Sequence, residues 1–107
     1  MLNRKLVGPP EVHDATVMLV VADADRCLVT LRPVEGTQLQ FAFERVSHLI
    51  SKNPNGMMLY AIHELPAAPP TRHFVFVNWG DDDPRSLEVR AERGSWKHVN
   101  EDSWQPV

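Results

Sequence analysis

At 107 residues the chain has room for one hydrophobic core and not for two. Its hydrophobic content of 43% and charged content of 23% exclude a disordered or fibrous composition. A net charge of −3 with scattered Lys and Arg argues against nucleic acid as partner, and a single cysteine excludes an internal disulfide.

Residues 1–10 read as a loose arm closed by Gly8-Pro9-Pro10. The arm has two basic residues but no apolar core of signal-peptide length, and no later stretch approaches the roughly 20 apolar residues of a membrane helix. The expected location is the cytoplasm of a bacterium-like cell, with no membrane contact. His13-Asp14-Ala15 sits where Gly-Pro-Pro ends and the first strand begins. An aspartate there can bond nearby backbone N–H groups, and His13 can accept a bond from an adjoining strand, so the triplet is expected to be structural. Ala15–Ala22 is the most apolar run, and its valines and length predict a strand buried on both faces. Asp23 to Arg26 is turn-like. Cys27–Pro33 returns as a second strand with Cys27, Val29 and Leu31 on one face, which predicts a hairpin. Cys27 reads as a buried, inert thiol.

Pro33 to Gly36 is the next turn. In Thr37–Phe43, residues Leu39, Phe41 and Phe43 point one way and Gln38 and Gln40 the other, the period of a strand with one buried face. Glu44–Lys52 has Val46, Leu49 and Ile50 at helical spacing and is expected to be a short helix or turn, with an irregular strand as the alternative. Asn53-Pro54-Asn55-Gly56 breaks the chain. Met57–Leu65 is a strand, apolar on both faces and so central. Pro66–Pro70 cannot continue a ladder, because proline has no N–H to donate. His73–Trp79 is a strand with Phe74 and Phe76 opposed to Val75, Val77 and Trp79, which puts Trp79 in the core. Gly80 to Pro84 is a turn. Ser86–Ala91 alternates again, Trp96–Val99 is a candidate edge strand, and the tail over 100–107 reads as loose apart from Trp104.

With no helical crossover of useful length, the strands are expected to be mainly antiparallel. The predicted architecture is a mainly β single domain. About six strands form one antiparallel sheet that curls into a half-barrel or small sandwich, with at most one short helix.

Candidate chemistry is sparse. His13, His48, His63, His73 and His98 lack the short spacing of a zinc site. His63 and His73 flank the proline loop and could face each other across a hairpin, the one place for a metal-dependent or small-ligand enzyme. Asp81-Asp82-Asp83 lacks the spaced ligands of a calcium loop and reads as a solvated turn or an acidic contact patch for a basic partner. Ser47 and His48 are neighbours in sequence, but neither a phosphate loop nor a nucleophile elbow accompanies them. No catalytic residue, metal or cofactor is expected. Trp96 and Trp104 lie in polar surroundings and are candidate contact residues, since tryptophan is enriched among interface hot spots.

Val12-His13-Asp14-Ala15, Val17–Val21, Val29-Thr30-Leu31, Phe41–Val46, Phe74–Trp79 and Leu87–Ala91 follow an order that resembles a loose set of small, uncharacterised bacterial β-rich proteins. In that set a His-Asp-Ala triplet opens the first strand, and some members are immunity proteins of polymorphic toxin systems. The resemblance covers about residues 12–92 and has no catalytic residues to carry over. It implies a non-enzymatic protein-binding module, an immunity-type inhibitor that blocks a toxin or effector sterically and electrostatically. Asp81, Asp82, Asp83, Trp96 and Trp104 are the expected contacts. A self-associating module is the other non-catalytic expectation, with an exposed strand such as Ser86–Ala91 pairing with its mate in a homodimer.

Overall fold

The computed structural model describes residues 4–80 and 82–107. The strands are β1 (Lys5–Val7), β2 (Thr16–Asp23), β3 (Arg26–Arg32), β4 (Leu39–Lys52), β5 (Leu59–Leu65), β6 (Arg72–Asn78), β7 (Ser86–His98) and β8 (Gln105–Pro106). They form one antiparallel sheet in the order β1-β5-β6-β7-β4-β3-β2, with β8 added to β7. The helical element among the described residues is a single 3-10 turn, Pro10–Val12, which buries Val12 between β1 and β2.

Two long strands organise this sheet. β4 and β7, of 14 and 13 residues, pair with each other from Leu39↔His98 to Lys52↔Ser86. The first half of β4 also pairs with β3, and the first half of β7 also pairs with β6. Each long strand therefore belongs to two leaves, and the sheet folds over about their midpoints. β4 is broken at that place. Arg45 is left-handed at φ 54°, and the register steps from Val46↔Ala91 to His48↔Arg90, leaving Ser47 bulged out. A bulge of this kind bends a strand and increases its twist.

The fold brings the ends of the sheet together. Thr16 bridges Met58, Val17 N donates to Met57 O at 2.9 Å, and Leu59 N donates to Ala15 O at 2.8 Å. This is contact at one corner, and the sheet is not closed into a barrel. Between the leaves, Phe41 and Phe43 of β4 meet Phe74 and Phe76 of β6. The Phe43–Phe74 centroids are 5.1 Å apart, and the Phe41–Phe76 pair is edge-to-face at 6.2 Å. Leu31, Leu39, Val29, Ile62, Leu87 and Val89 fill the space around the rings. Each buried ring or branched side chain contributes about 1.5–3 kcal/mol by leaving water.

The predicted faces of β3, β4, β6 and β7 hold: Cys27, Val29, Leu31, Leu39, Phe41, Phe43, Phe74, Phe76, Leu87, Val89 and Ala91 are all buried. Four expectations change. Glu44–Lys52 is the second half of β4, not a short helix. Val46 and Leu49 both pack against the core because the Ser47 bulge lengthens a two-residue repeat to three, which imitates helical spacing. The Ala15–Ala22 run forms an edge strand instead of a doubly buried one: Val17 is fully buried, but Met18, Leu19 and Val21 are 37%, 50% and 46% exposed. Ser86–Ala91 lies between β4 and β6, so it offers no edge to a symmetry mate. Within the segments read as loose, Lys5–Val7 pairs with β5 and Gln105–Pro106 pairs with β7.

Two backbone positions give opposite predictions. Gly8 is left-handed at φ 87°, and a Cβ there would stand 3.0 Å from Phe41 Cζ. Gly8→Ala is expected to lose about 2 kcal/mol in urea unfolding, from left-handed strain and overpacking together. Ala24, in the β2–β3 turn, is left-handed at φ 53° without being glycine. Ala24→Gly is expected to gain about 0.5–1 kcal/mol in the same assay, with unchanged dependence on urea.

Candidate functional site

One surface lies on the outer face of the β2-β3-β4-β7 leaf. The register aligns Val21, Leu28, Ala42 and Ser95 across four strands. Ala42 and Ser95 are small, so the middle of the row is a trough, walled by Val21 on one side and Trp104 on the other. The groove has a volume of about 520 Å³. The next row, Asp23, Arg26, Glu44 and Arg93, gives it a charged rim, where Arg26 and Glu44 stand 4.0 Å apart. Beyond the Thr16–Met58 bridge, no strand among the described residues pairs with the outer edge of β2. Cys27 lies on the inner side of this leaf, and burial pushes its thiol up to about 11, as suits an inert thiol.

Trp104 keeps its place because the tail is tied down. Val107 N donates to Gly94 O at 3.0 Å, Lys97 Nζ donates to Glu101 O at 2.9 Å, and Lys97 sits 5.2 Å from the centroid of the Trp104 ring. Arg72 makes two bonds to the Glu64 carboxylate, at 2.8 and 2.7 Å, and a third to Val107 O at 2.8 Å. That paired guanidinium holds Glu64 below the usual carboxylate range. His98 is held from both sides, its Nδ1 at 2.6 Å from Glu101 and its Nε2 at 2.9 Å from Glu11. Bonds to the two carboxylates hold the imidazole above its ordinary value, and the ring in turn holds both glutamates below theirs.

The second surface is built on His13-Asp14-Ala15. Asp14 is left-handed at φ 68°, a conformation aspartate tolerates better than most residues. Its N–H donates to Leu59 O at 2.9 Å, which joins the triplet to β5. Asp14 Oδ1 then accepts from the indole Nε1 of Trp79, at 2.8 Å, just beyond the end of β6. His13 Nδ1 lies 2.9 Å from Tyr60 O; a carbonyl only accepts, so Nδ1 carries the proton. His13, Tyr60 and Trp79 are mutually edge-to-face, with centroids 4.8–5.5 Å apart. Tyr60 faces outward because the β5–β6 register shifts between Leu59 and Ala61, which leaves Tyr60 as the extra residue. Asp14 thus bonds an indole where a backbone N–H was expected, and His13 donates where it was expected to accept.

The remaining expected site residues are dispersed. Asp81 lies outside the described residues. Asp82 is exposed. Asp83 is locked to Arg85, with Oδ2 2.6 Å from Nη2, and that guanidinium holds its carboxyl far below the usual range, so its charge is already answered. Trp96 packs partly buried against the core, edge-to-face with His98. Trp79, expected in the core, is 45% exposed. His63 and His73 are both buried, on the face of β5 and β6 opposite Ile62, Phe74 and Phe76, and two register positions apart. His73 Nε2 is 2.9 Å from Glu88, and burial with the nearby Arg4 holds His63 below the usual imidazole range. Among the described residues, no three His, Cys, Asp or Glu side chains stand close enough to hold a metal ion. Ser47 Oγ donates weakly to Arg90 O at 3.4 Å, and His48 is exposed beside it. No helix among the described residues is long and apolar enough to cross a membrane.

Comparison with protein-family models, with curated proteins and with solved structures finds no match.

The double clasp on His98 gives a signed pH dependence. A raised imidazole adds stability that is full below its unfolded value of about 6.5 and is lost as pH rises through the higher folded value. The lowered glutamates add stability that is full above about 4.3 and is lost as pH falls through their folded values. The stability gap between wild type and His98→Gln is therefore expected to be widest between roughly pH 5 and 6.5 and to narrow on both sides. Urea unfolding at a series of pH values measures it, and a gap that is flat across that range would contradict the clasp.

Proposed function

We propose that the protein is a non-catalytic binding module that engages a protein partner through the outer face of the β2-β3-β4 leaf. The observation that carries this reading is the placement of the most apolar segment of the chain. Met18, Leu19 and Val21 lie on an edge strand in solvent, beside a groove walled by an exposed tryptophan. A single-layer edge of that composition is costly for a free protein, because it templates pairing with other chains. A partner that covers the face gains apolar burial, and backbone bonds along the β2 edge add register. Of the contacts expected from the sequence, Trp104 lies on this face, and Asp82 stands apart from it as a further charged contact.

The immunity-type reading is the finer form of the same proposal. It rests on the resemblance carried by His13-Asp14-Ala15 and the strand order of residues 12–92, and it places the protein in the cytoplasm beside a toxin or effector. A preformed, rigid β surface suits an inhibitor that acts by occupancy, because little ordering entropy opposes its binding.

The test pairs wild type with Val21→Asp, a substitution on an exposed strand face that the fold is expected to tolerate. Tagged protein is incubated with the product of any toxin-like reading frame beside its gene, and complex formation is followed by calorimetry. Binding by wild type that falls at least tenfold in Val21→Asp is the expected result. Equal binding by both would remove the β2 face from the interface.

A further inference from the structure

We propose that Tyr60, Trp79 and Asp14 form a recognition site for an arginine side chain of a protein partner, separate from the groove beside Trp104. The mutual edge-to-face contacts of His13, Tyr60 and Trp79 fix the two larger rings without covering them: each is 45% exposed. Aromatic faces carry negative π density and attract cations, tryptophan most strongly. Trp79 donates its indole N–H to Asp14 at 2.8 Å, which draws the proton toward the carboxylate and enriches the ring face in electron density.

Asp14 adds a full charge at the same place. Its side chain is 45% exposed, and among the described residues the indole bonds Oδ1 and no donor bonds Oδ2. Asp82, three residues beyond Trp79, is exposed, and the nearest cation in sequence, Arg85, is already held by Asp83. The surface is therefore aromatic and acidic at once, and its complement is a cation with a flat apolar face. Arginine fits better than lysine, because a planar guanidinium stacks on a ring and also directs N–H groups at a carboxylate. A cleft of about 260 Å³ bounded by Leu6, Pro9, His13 and Tyr60 adjoins the rings. Leu6 in its wall is 69% exposed, and Met58, whose carbonyl accepts from Trp79 N, is 48% exposed, which gives apolar cover to the polypeptide that carries the arginine.

The site stands independently of the groove, and its test does not involve β2. Nitrogen-15-labelled protein is titrated with a blocked Ser-Gly-Arg-Gly-Ser peptide and with its glutamine counterpart. The expected result is a saturating shift of the Trp79 indole N–H and the Tyr60 amide, with arginine binding about fivefold tighter than glutamine. Asp14→Asn keeps a side chain that tolerates the left-handed backbone and an oxygen for the indole, but removes the charge. It is expected to abolish the preference, whereas Asp102→Asn, which removes the same charge elsewhere, leaves it intact. If Asp14→Asn loses the native spectrum, Tyr60→Ser on the exposed bulge repeats the measurement. An arginine preference that survives in the site variant, or shifts that never saturate at Trp79, would overturn the proposal.

Discussion

The structure depends on four phenylalanine rings meeting across a folded sheet. Phe41 and Phe43 leave β4 on the face that Phe74 and Phe76 of β6 also use, and their edge-to-face and tilted contacts close the space between the leaves. The rest of the core surrounds this cluster. Gly94, opposite Phe43 in the β4–β7 register, has no side chain because a Cβ would stand 3.2 Å from that ring. Gly8 yields to Phe41 in the same way. The chain therefore places bulk on two strands and removes it at Gly8 and Gly94, where other backbone passes close over the rings.

Bulges convert this packing into shape. Ser47 lets β4 turn from one leaf to the other, so a single strand contributes Phe43 to the first leaf and Leu49 to the second. The irregularity near Tyr60 acts on a smaller scale. It leaves Leu59 and Ile62 buried and turns Tyr60 out toward His13 and Trp79. In both places one unpaired residue changes what a neighbouring side chain faces, so the same device serves the fold at β4 and a surface at β5.

The sequence was legible where alternation was clean and misleading where a bulge broke it. Leu39, Phe41 and Phe43 declare their face at once, as do Leu87, Val89 and Ala91, because period two has no helical counterpart. Val46 and Leu49 imitate a helix since one bulged residue lies between them. The burial of Ala15–Ala22 was not legible at all. An apolar run reports that a strand is favoured, but its place in the sheet depends on what pairs with it, and β2 is an end. The aromatic cluster was half legible. His13-Asp14-Ala15 stood out as a triplet, but Tyr60 and Trp79 lie 47 and 65 residues from their His13 and Asp14 hydrogen-bond partners, and only the β5–β6 hairpin brings them there. Asp83 shows the converse error, for a carboxylate that looks available in sequence is answered two residues later by Arg85.

A sheet folded on itself has one interior, so every apolar side chain on an outer face needs a reason other than packing. Most outer positions follow that rule. Thr30, Gln40, Glu44, Glu88 and Arg90 share ladders with the buried rows and carry polar groups. Ile50, opposite Glu88, departs from it singly at 43% exposed, and two places depart from it as patches: the β2 edge with its groove, and the ring cluster at His13. They differ in kind. The first is aliphatic with a free backbone edge, which favours shape and strand pairing over charge. The second is aromatic with a carboxylate, which favours a cation over shape. The tail bears on the first through Trp104 and the His98 clasp, whereas the second is held by β5, the end of β6 and the His13-Asp14-Ala15 segment that leads into β2. Side-chain substitutions at Val21 or Trp104 touch none of the hydrogen bonds that hold Asp14, Tyr60 and Trp79, so their effects at the two sites are expected to add.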